Sequence, residues 1–339
     1  MKVAVTYNLK PEEGFIDGGD EPPDAYCECD DPATIEAVAA ALAAEHEVVL
    51  VEANEECFAR LRDCHPDFVF NMAEGLYGLS RESHLPAILE MLRIPYTGSA
   101  PLALAVSLDK GMCKAVLKDA GLPIPAGFLI ENESQLPITA EYPMIVKPTM
   151  EGSSKGITND SLVYTDEQLT QQVQRVLGMY HQPVLVEEFL PGREFTVALL
   201  GNGADVQVLP IVEILLGNLP KAANPIYSFE AKWVWDSAAS PLEMFECPAN
   251  ISEALRMRIE EICKRAFHTL GCRDWCRIDV RLDAQGDPRI LEVNPLPGIL
   301  PNPEQNSCFP KAARAFGLSY DQLIRTVLRA ALKRTGMSM

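Results

Sequence analysis

Two short runs near the C-terminal end each carry a pair of polar residues where a core strand normally places valine or isoleucine. In "CRIDVRL", residues 276–282, Arg277 and Asp279 stand two apart. In "RILEVNPLPGI", residues 289–299, Glu292 and Asn294 do the same. Residues i and i+2 of a strand share a face, so each pair points one way. The intervening "DAQGDP" has the composition of a hairpin turn. A symmetric hairpin sets Asp279 opposite Glu292 and Arg277 opposite Asn294, all on one face. Adjacent carboxylates repel unless something cationic sits between them. Asp, Glu and Asn are hard oxygen ligands that suit magnesium bridging nucleotide phosphates. A solvated sheet face with an ordinary Arg–Asp pair is the alternative, and the Ile, Val and Leu flanks favour the cation platform.

Three further segments carry weaker signals. In "MIVKPTMEGSSKGI", residues 144–157, Lys147 ends an apolar strand, and a Gly/Ser loop follows that can cradle phosphate oxygens with backbone N–H groups. It is not a GxxxxGK[ST] loop, and the chain has no GxGxxG. "VLVEEFLPGREF", residues 184–195, ends a strand in Glu187 and Glu188 and carries Glu194 beyond a turn. Carboxylates so placed can accept from an adenine amino group or ribose hydroxyls, or can simply be solvated. Lys110 in "SLDKGMCK" and Lys232 in "FEAKWVW" are unremarkable singly.

The elements that must position these residues read as follows. Residues 2–8 form a buried strand, and a helix follows with Asp31 as cap and Pro32 in its first turn. "EVVLVEA" and "DFVFNMA" are strands, so the first part has the pattern of a parallel sheet with covered faces. The stretch between the first strand and first helix, about 10–31, is rich in acids, Gly and Pro. It reads as too polar to pack, a surface loop or lid. Helices are expected around 83–92 and 109–120. Short strands follow from about 124, interrupted by a helix near 166–178, and helices near 251–270 and 318–334 complete the chain. Divisions near 105 and 200 give three units, 1–105, 106–200 and 201–339.

The 339 residues, 47% hydrophobic and 23% charged, suffice for two or three domains with proper cores. A net charge of −19 argues against nucleic acid, though a locally basic cleft can still take a phosphate-bearing small ligand. Neither a secretory signal nor a membrane-length apolar run is evident, so the expectation is a soluble cytoplasmic protein with no membrane partner. Ten scattered cysteines without a CxxC pair read as reduced thiols. Cys27 and Cys29 in the acidic stretch make a weak candidate metal pair, disfavoured here. The five histidines form no HExxH, and no Ser-His or Cys-His arrangement is evident.

Taken in order, "KP-x-x-EGSS-x-G", "PGREFTVALLG", "FEAKW", "RIDVRLD" and "EVNPLPG" resemble an ATP-grasp ligase, most closely the D-alanine–D-alanine ligase family. The similarity runs from about "IPYTGSAPLALAVSLDK" to "FGLSYDQLI". It implies an α/β (α+β) fold in which an N-terminal parallel-sheet domain and two α+β subdomains enclose ATP. Lys110 and Lys147 would contact ATP phosphates, and Glu187 with the backbone of Glu188, Phe189 and Leu190 would hold adenine. Glu194 would bind ribose, Glu151, Ser153 and Ser154 would belong to the loop over the phosphates, and Lys232 would reach the terminal phosphate. Asp279, Glu292 and Asn294 would bind Mg2+ (or Mn2+). Arg277 and the Gly298 backbone would steady an oxyanion, and Ser307 would meet the acceptor's carboxylate. The resemblance also implies amino-acid or carboxylic-acid substrates and a homodimer through the N-terminal domain.

The departures fall on the substrate side. "VAVTYNLKPEEG" replaces the family's Gly-Gly-x-Ser opening and its nearby ammonium-binding glutamate. Glu74 stands where a histidine is expected, Trp233 replaces a tyrosine, and the segment after Gly298 is longer. The first substrate therefore need not be D-alanine, and an amino acid joined to a different acid in secondary metabolism is an open alternative. Two other classes compete: an ATP-binding regulator without chemistry, and a small-molecule kinase that stops at a phosphorylated product. Arg277 and Lys232 speak against the first, and the oxyanion and acceptor elements against the second.

Overall fold

A computed structural model describes residues 1–11, 22, 24–235 and 242–337. Residues 12–21 and 23 of the acidic stretch therefore lie outside the described residues.

The first unit has β1 (Lys2–Tyr7), α1 (Pro32–Ala43), β2 (Glu47–Glu52), α2 (Cys57–Cys64), β3 (Phe68–Asn71) and α3 (Arg81–Leu92). Its parallel sheet has the order β2-β1-β3. Val3 and Val5 face one core and Ala4 and Val69 the other, the two-sided burial that makes such strands continuously apolar. Asp31 does stand at the α1 cap position with Pro32 inside it, although its side chain makes no capping bond. Two helices follow, α4 (Pro101–Leu108) and α5 (Lys110–Asp119). Asp109 ends the first and caps the second by accepting from Met112 N–H.

The middle sheet comprises β4 (Gly127–Ile130), β5 (Met144–Pro148), β6 (Leu162–Val163) and, after α6 (Asp166–Tyr180), β7 (Val184–Glu188). Its order is β4-β7-β5-β6, and the pairs are antiparallel. Leu169, Val173 and Val176 on one stripe of α6 cover Val146, Val184 and Val186.

The last unit begins with β8 (Glu194–Leu200), β9 (Gln207–Val208), β10 (Val212–Ile214) and β11 (Phe245–Glu246). It continues with α7 (Glu253–Thr269), β12 (Trp275–Leu282), β13 (Pro288–Asn294), α8 (Cys308–Ala315) and α9 (Tyr320–Thr335). Its sheet runs β11-β10-β8-β12-β13, with β9 beside β8. Because β8 pairs with β12 over seven residues, the stretch 194–200 belongs to this sheet and not to the middle one.

The first unit and the last share one hydrophobic core, in which α1 meets α9, and two further contacts stand out. Trp275 lies edge-on to Phe70 at 5.6 Å and to Phe309 at 5.9 Å. Fully buried Asp274 accepts from Gly98 N–H at 2.8 Å and pairs with Arg334, whose Nε and Nη2 lie 3.0 and 2.9 Å from its oxygens. A buried carboxylate held by a bidentate guanidinium and a backbone donor is fully compensated, hence rigid.

Candidate functional site

The β12–β13 hairpin places the expected constellation. Asp279 faces Glu292 and Arg277 faces Asn294, in the register a symmetric turn requires. The symmetry ends there: the register shifts after Asp279, and Val280 faces Ile290. One residue of β13 is thus extra, a bulge that adds twist beside the polar face. Arg277 Nη2 sits 3.2 Å from Asp279 Oδ2, and Lys110 Nζ sits 3.5 Å from Glu292 Oε1. The Asn294 amide satisfies both neighbours when its oxygen accepts from Arg277 at 3.0 Å and its nitrogen donates to Glu292 at 2.9 Å. Burial alone would raise the Glu292 pKa, but Lys110, Arg277 and Lys147 hold it below the ordinary value, so the platform is anionic.

Lys147, at the end of β5, pairs with buried Glu187 at 2.5 Å. Lys114, one helical turn beyond Lys110 on α5, takes the other Glu187 oxygen at 2.6 Å. Burial opposes ionisation of Glu187, and the two ammoniums overcome it and lower its pKa. Both oxygens of Glu187 thus already face cations, and the carboxylate positions two lysines. Replacing Glu187 by Gln would leave two buried lysines without a counter-charge. The expected cost is about 3–5 kcal/mol, seen as a lower Tm, together with a weaker affinity for nucleotide. An unchanged Tm would deny it this anchoring role.

The N–H groups of Glu188 and Phe189 are donated to Ala126 O and Pro143 O, which narrows the expected adenine contacts. Among the described residues the Leu190 N–H has no backbone acceptor. Glu194 pairs with Arg281 at 2.9 Å, and the guanidinium lies 4.6 Å above the Phe189 ring. Burial pushes the Glu194 pKa up and Arg281 pulls it back only in part.

The Gly/Ser loop follows β5. Ser153 and Ser154 have φ of +51° and +63°, consecutive left-handed residues that carry side chains. Such conformations persist only where neighbours over-determine them. Ser154 Oγ donates to Tyr227 O at 2.9 Å, and Trp233 Nε1 donates to Ser153 O at 3.3 Å. Trp233 and Lys232 lie in a π-helical turn, Ala231–Trp235. Lys232 has no ion-pair partner among the described residues, and burial with nearby Arg277 lowers its pKa. Ser307 Oγ accepts from Leu300 N–H and donates to Gly298 O, both at 3.2 Å, which shapes the long segment after Gly298.

All the expected site residues line one cavity of about 880 Å3. The first unit lends it Cys27, Glu28, Asp30, Glu74 and Glu82. For the described part of the acidic stretch, from Asp24 on, the expectation that it is too polar to pack is corrected: Asp24 is buried and the Glu28 side chain is only 6% exposed, because each carboxylate finds partners in the body of the protein. Burial raises the thiol pKa values of Cys27 and Cys308 to about 12 and of Cys29 to about 11, so these are not thiolate nucleophiles near neutrality. Among the described residues, no three His, Cys, Asp or Glu side chains could together hold a metal ion. The platform is two carboxylates and an amide, a set suited to magnesium only alongside phosphate oxygens.

Sequence reasoning missed Lys114, Arg281, Arg81, Lys155, Asp24 and Glu28. Lys114 was accessible from its i+4 spacing to Lys110, and Arg281 from its i+2 spacing to Asp279. Arg81, Asp24 and Glu28 pair across many residues and give no local signal, and of the Lys155 pairs only the one with Glu151 is local.

Crowded carboxylates make the cavity pH-sensitive. Burial, then Glu28, raises Glu82 from an ordinary 4.5 to about 8. Burial raises Asp30 from 3.8 to about 7. The folded chain holds these protons more tightly than the unfolded chain. Their stabilisation is full below the ordinary values and is lost as pH rises through about 7 to 8. In nucleotide-free protein, Glu82→Gln should raise Tm at alkaline pH, with the gap closing under mildly acid conditions; a gap independent of pH would refute the assignment.

The chain is similar to known proteins over most of its length. The family model described as D-ala D-ala ligase C-terminus matches residues 117–329. A Sinorhizobium fredii protein, "Uncharacterized protein y4sG", is 37% identical over 305 residues, 88% of this chain and 86% of its own. The D-alanine–D-alanine ligase of Bordetella petrii is 35% identical over 295 residues, 86% of this chain and 84% of its own. Among solved structures, the Bacillus anthracis D-alanine–D-alanine ligase complexed with ATP superposes with a TM-score of 0.72 at 21% identity, covering 99% of each chain. A second structure of that enzyme gives 0.73 at 24%.

Proposed function

Since this chain belongs to the D-alanine–D-alanine ligase family of ATP-dependent ligases, with the ATP-grasp fold, we propose that it joins the carboxylate of one amino acid, or a related acid, to the amine of another through an acyl phosphate. The observation that carries this reading is the in-register face of Arg277, Asp279, Glu292 and Asn294, with Lys110 beside it and Lys232, which has no ion-pair partner among the described residues, in the same cavity.

Lys110, Lys147 and the loop of Glu151, Ser153 and Ser154 bind the triphosphate, and Leu190 with the segment from Glu187 holds adenine. Glu194, oriented by Arg281, takes the ribose. Asp279, Glu292 and Asn294 are the residues that would hold magnesium or manganese, which when bound neutralises phosphate charge. The fit rests on the donor chemistry and on Glu292 being held ionised. The substrate carboxylate attacks the terminal phosphorus and ADP departs, with Lys232 countering charge on the transferring group. The acceptor amine then attacks the acyl carbon, Arg277 and the Gly298 N–H steady the tetrahedral oxyanion, and inorganic phosphate leaves. Glu74, Trp233 and Ser307 are assigned to the substrates. Burial and the neighbouring carboxylates of Glu28, Glu82 and Asp30 raise the Glu74 pKa well above the ordinary range, and a substrate ammonium beside it would favour its charged form.

The test is phosphate release from ATP and magnesium across a panel of D- and L-amino acids, with products identified by mass. A new amide with stoichiometric phosphate supports the ligase. Release without an amide would favour a kinase, and no release with any pair would favour a regulator. Among the described residues no helix is long and apolar enough to cross a membrane. The proposed setting is the cytoplasm, as a homodimer through the first of three units, 1–105, 106–200 and 201–339, with the second boundary shifted ahead of β8 to follow strand pairing.

A further inference from the structure

The acidic stretch before α1 reaches the loop over the phosphates and grips it at two points. Asp24 Oδ2 accepts from Gly156 N–H at 2.9 Å and from the Tyr180 hydroxyl at 2.7 Å. Glu28 lies between Arg81 Nη2 at 2.8 Å and Lys155 Nζ at 2.7 Å. Glu151 completes a ring, 3.2 Å from Arg81 and 2.5 Å from Lys155. Two anions and two cations alternate, and Arg81, Glu28 and Lys155 are almost wholly out of solvent. Isolated buried charges are unstable, whereas a closed ring in which each faces two opposites is compensated.

The ring joins three separate segments: the acidic stretch, the first residue of α3, and the loop. Arg81 Nη1 also donates to Met150 O at 2.8 Å. From the far side Gln182 accepts from Met150 N–H at 2.6 Å and donates to Glu151 at 2.8 Å. At Gly152 an added Cβ would lie 2.1 Å from Glu28 Oε1, so carboxylate and backbone are in direct contact there. The loop so gripped is the one that holds Ser153 and Ser154 in left-handed conformations, which need outside support.

We propose that residues 24–28 form a brace, in which Glu28 is a positioning residue that acts through Arg81 and Lys155 to hold loop 150–156 in its phosphate-covering shape. Glu28 is already neutralised by two cations, so it is not the receptor for a substrate ammonium. The inference rests on the ligase reading only where it assigns the loop to phosphates; the grip itself stands on geometry.

The experiment compares the full-length protein with Glu28→Gln and, as a milder variant should the first fold poorly, Asp24→Asn. One arm uses no nucleotide: trypsin cleavage at the Lys155–Gly156 bond, followed by mass, should be at least about fivefold faster in both variants, because Lys155 loses burial. The second arm measures binding of a non-hydrolysable ATP analogue with magnesium, expected to weaken by a similar factor. In a double-mutant cycle with Lys155→Met, the losses in nucleotide affinity should be strongly non-additive. In steady-state assays KM for ATP should rise while KM for the amino acids holds. Wild-type cleavage and nucleotide affinity in Glu28→Gln, with a raised amino-acid KM, would overturn the brace and make Glu28 a substrate receptor. Failure of the wild-type protein to bind nucleotide would sink the ligase reading, and the cleavage arm would still decide the brace.

Discussion

Glu292→Gln is expected to lower the rate of phosphate release by about a thousandfold, ~4 kcal/mol in the barrier, while the protein stays folded. The exchange keeps size and most hydrogen bonding but removes the charge. The glutamate faces Asp279 across the hairpin and lies 3.5 Å from Lys110, and three cations keep it ionised despite burial. An amide there halves the negative charge of the platform. Among the described residues it also leaves the Lys110 ammonium with the Glu151 carbonyl that already accepts from it and no carboxylate partner. A metal held mainly by charge loses its site, and the lysine beside the phosphates loses its orientation. Steady-state rates with a magnesium titration, read together with Tm, separate these effects from unfolding. A wild-type rate at saturating magnesium would remove Glu292 from the chemistry.

How much of this site could be read in the chain depends on the range of the interaction. The hairpin was legible because alternation and turn composition are local, and they fixed the partners of Arg277 and Asp279. The bulge after Asp279 was not, since a symmetric turn gives no warning of an extra residue near Leu291. Strands such as Met144–Pro148 and Val184–Glu188 announced themselves through β-branched runs. Helix α4, "PLALAVSL", did not, because it is apolar nearly all round and lacks the polar face that gives a helix its period. The largest misreading concerned 24–30. Acid-rich composition argues for solvent only if no cation waits elsewhere, and those that meet Glu28 come from Arg81 and Lys155, distant in sequence. Charge pairing over such separations belongs to the tertiary structure. The same logic explains the Lys114–Glu187–Lys147 cluster, where a carboxylate that the family resemblance assigns to adenine is spent on positioning lysines.

Arg277→Met should separate the two halves of the proposed reaction. Its guanidinium borders the platform, 3.2 Å from Asp279 and 3.0 Å from the Asn294 oxygen, in the cavity that Gly298 and Lys232 also line. A planar cation so held is pre-aimed at charge that develops on a carbonyl oxygen, and loss of one such donor typically costs about 10²–10³ in rate. Amide formation is therefore expected to fall by roughly that factor. If Arg277 acts mainly on the tetrahedral oxyanion, the first half-reaction survives better. Hydroxylamine, which intercepts an acyl phosphate as a hydroxamate, should still yield product in the variant at a rate reduced much less than amide synthesis. Arg277→Lys should recover only part of the loss, because a point charge cannot keep the fork that meets Asp279 and Asn294 together. Removing the guanidinium also leaves Asp279 and Glu292 facing each other with less compensation, so Tm and nucleotide binding must be measured alongside. Equal losses in hydroxamate and amide, with affinity for nucleotide unchanged, would move Arg277 from the oxyanion to the phosphoryl-transfer step.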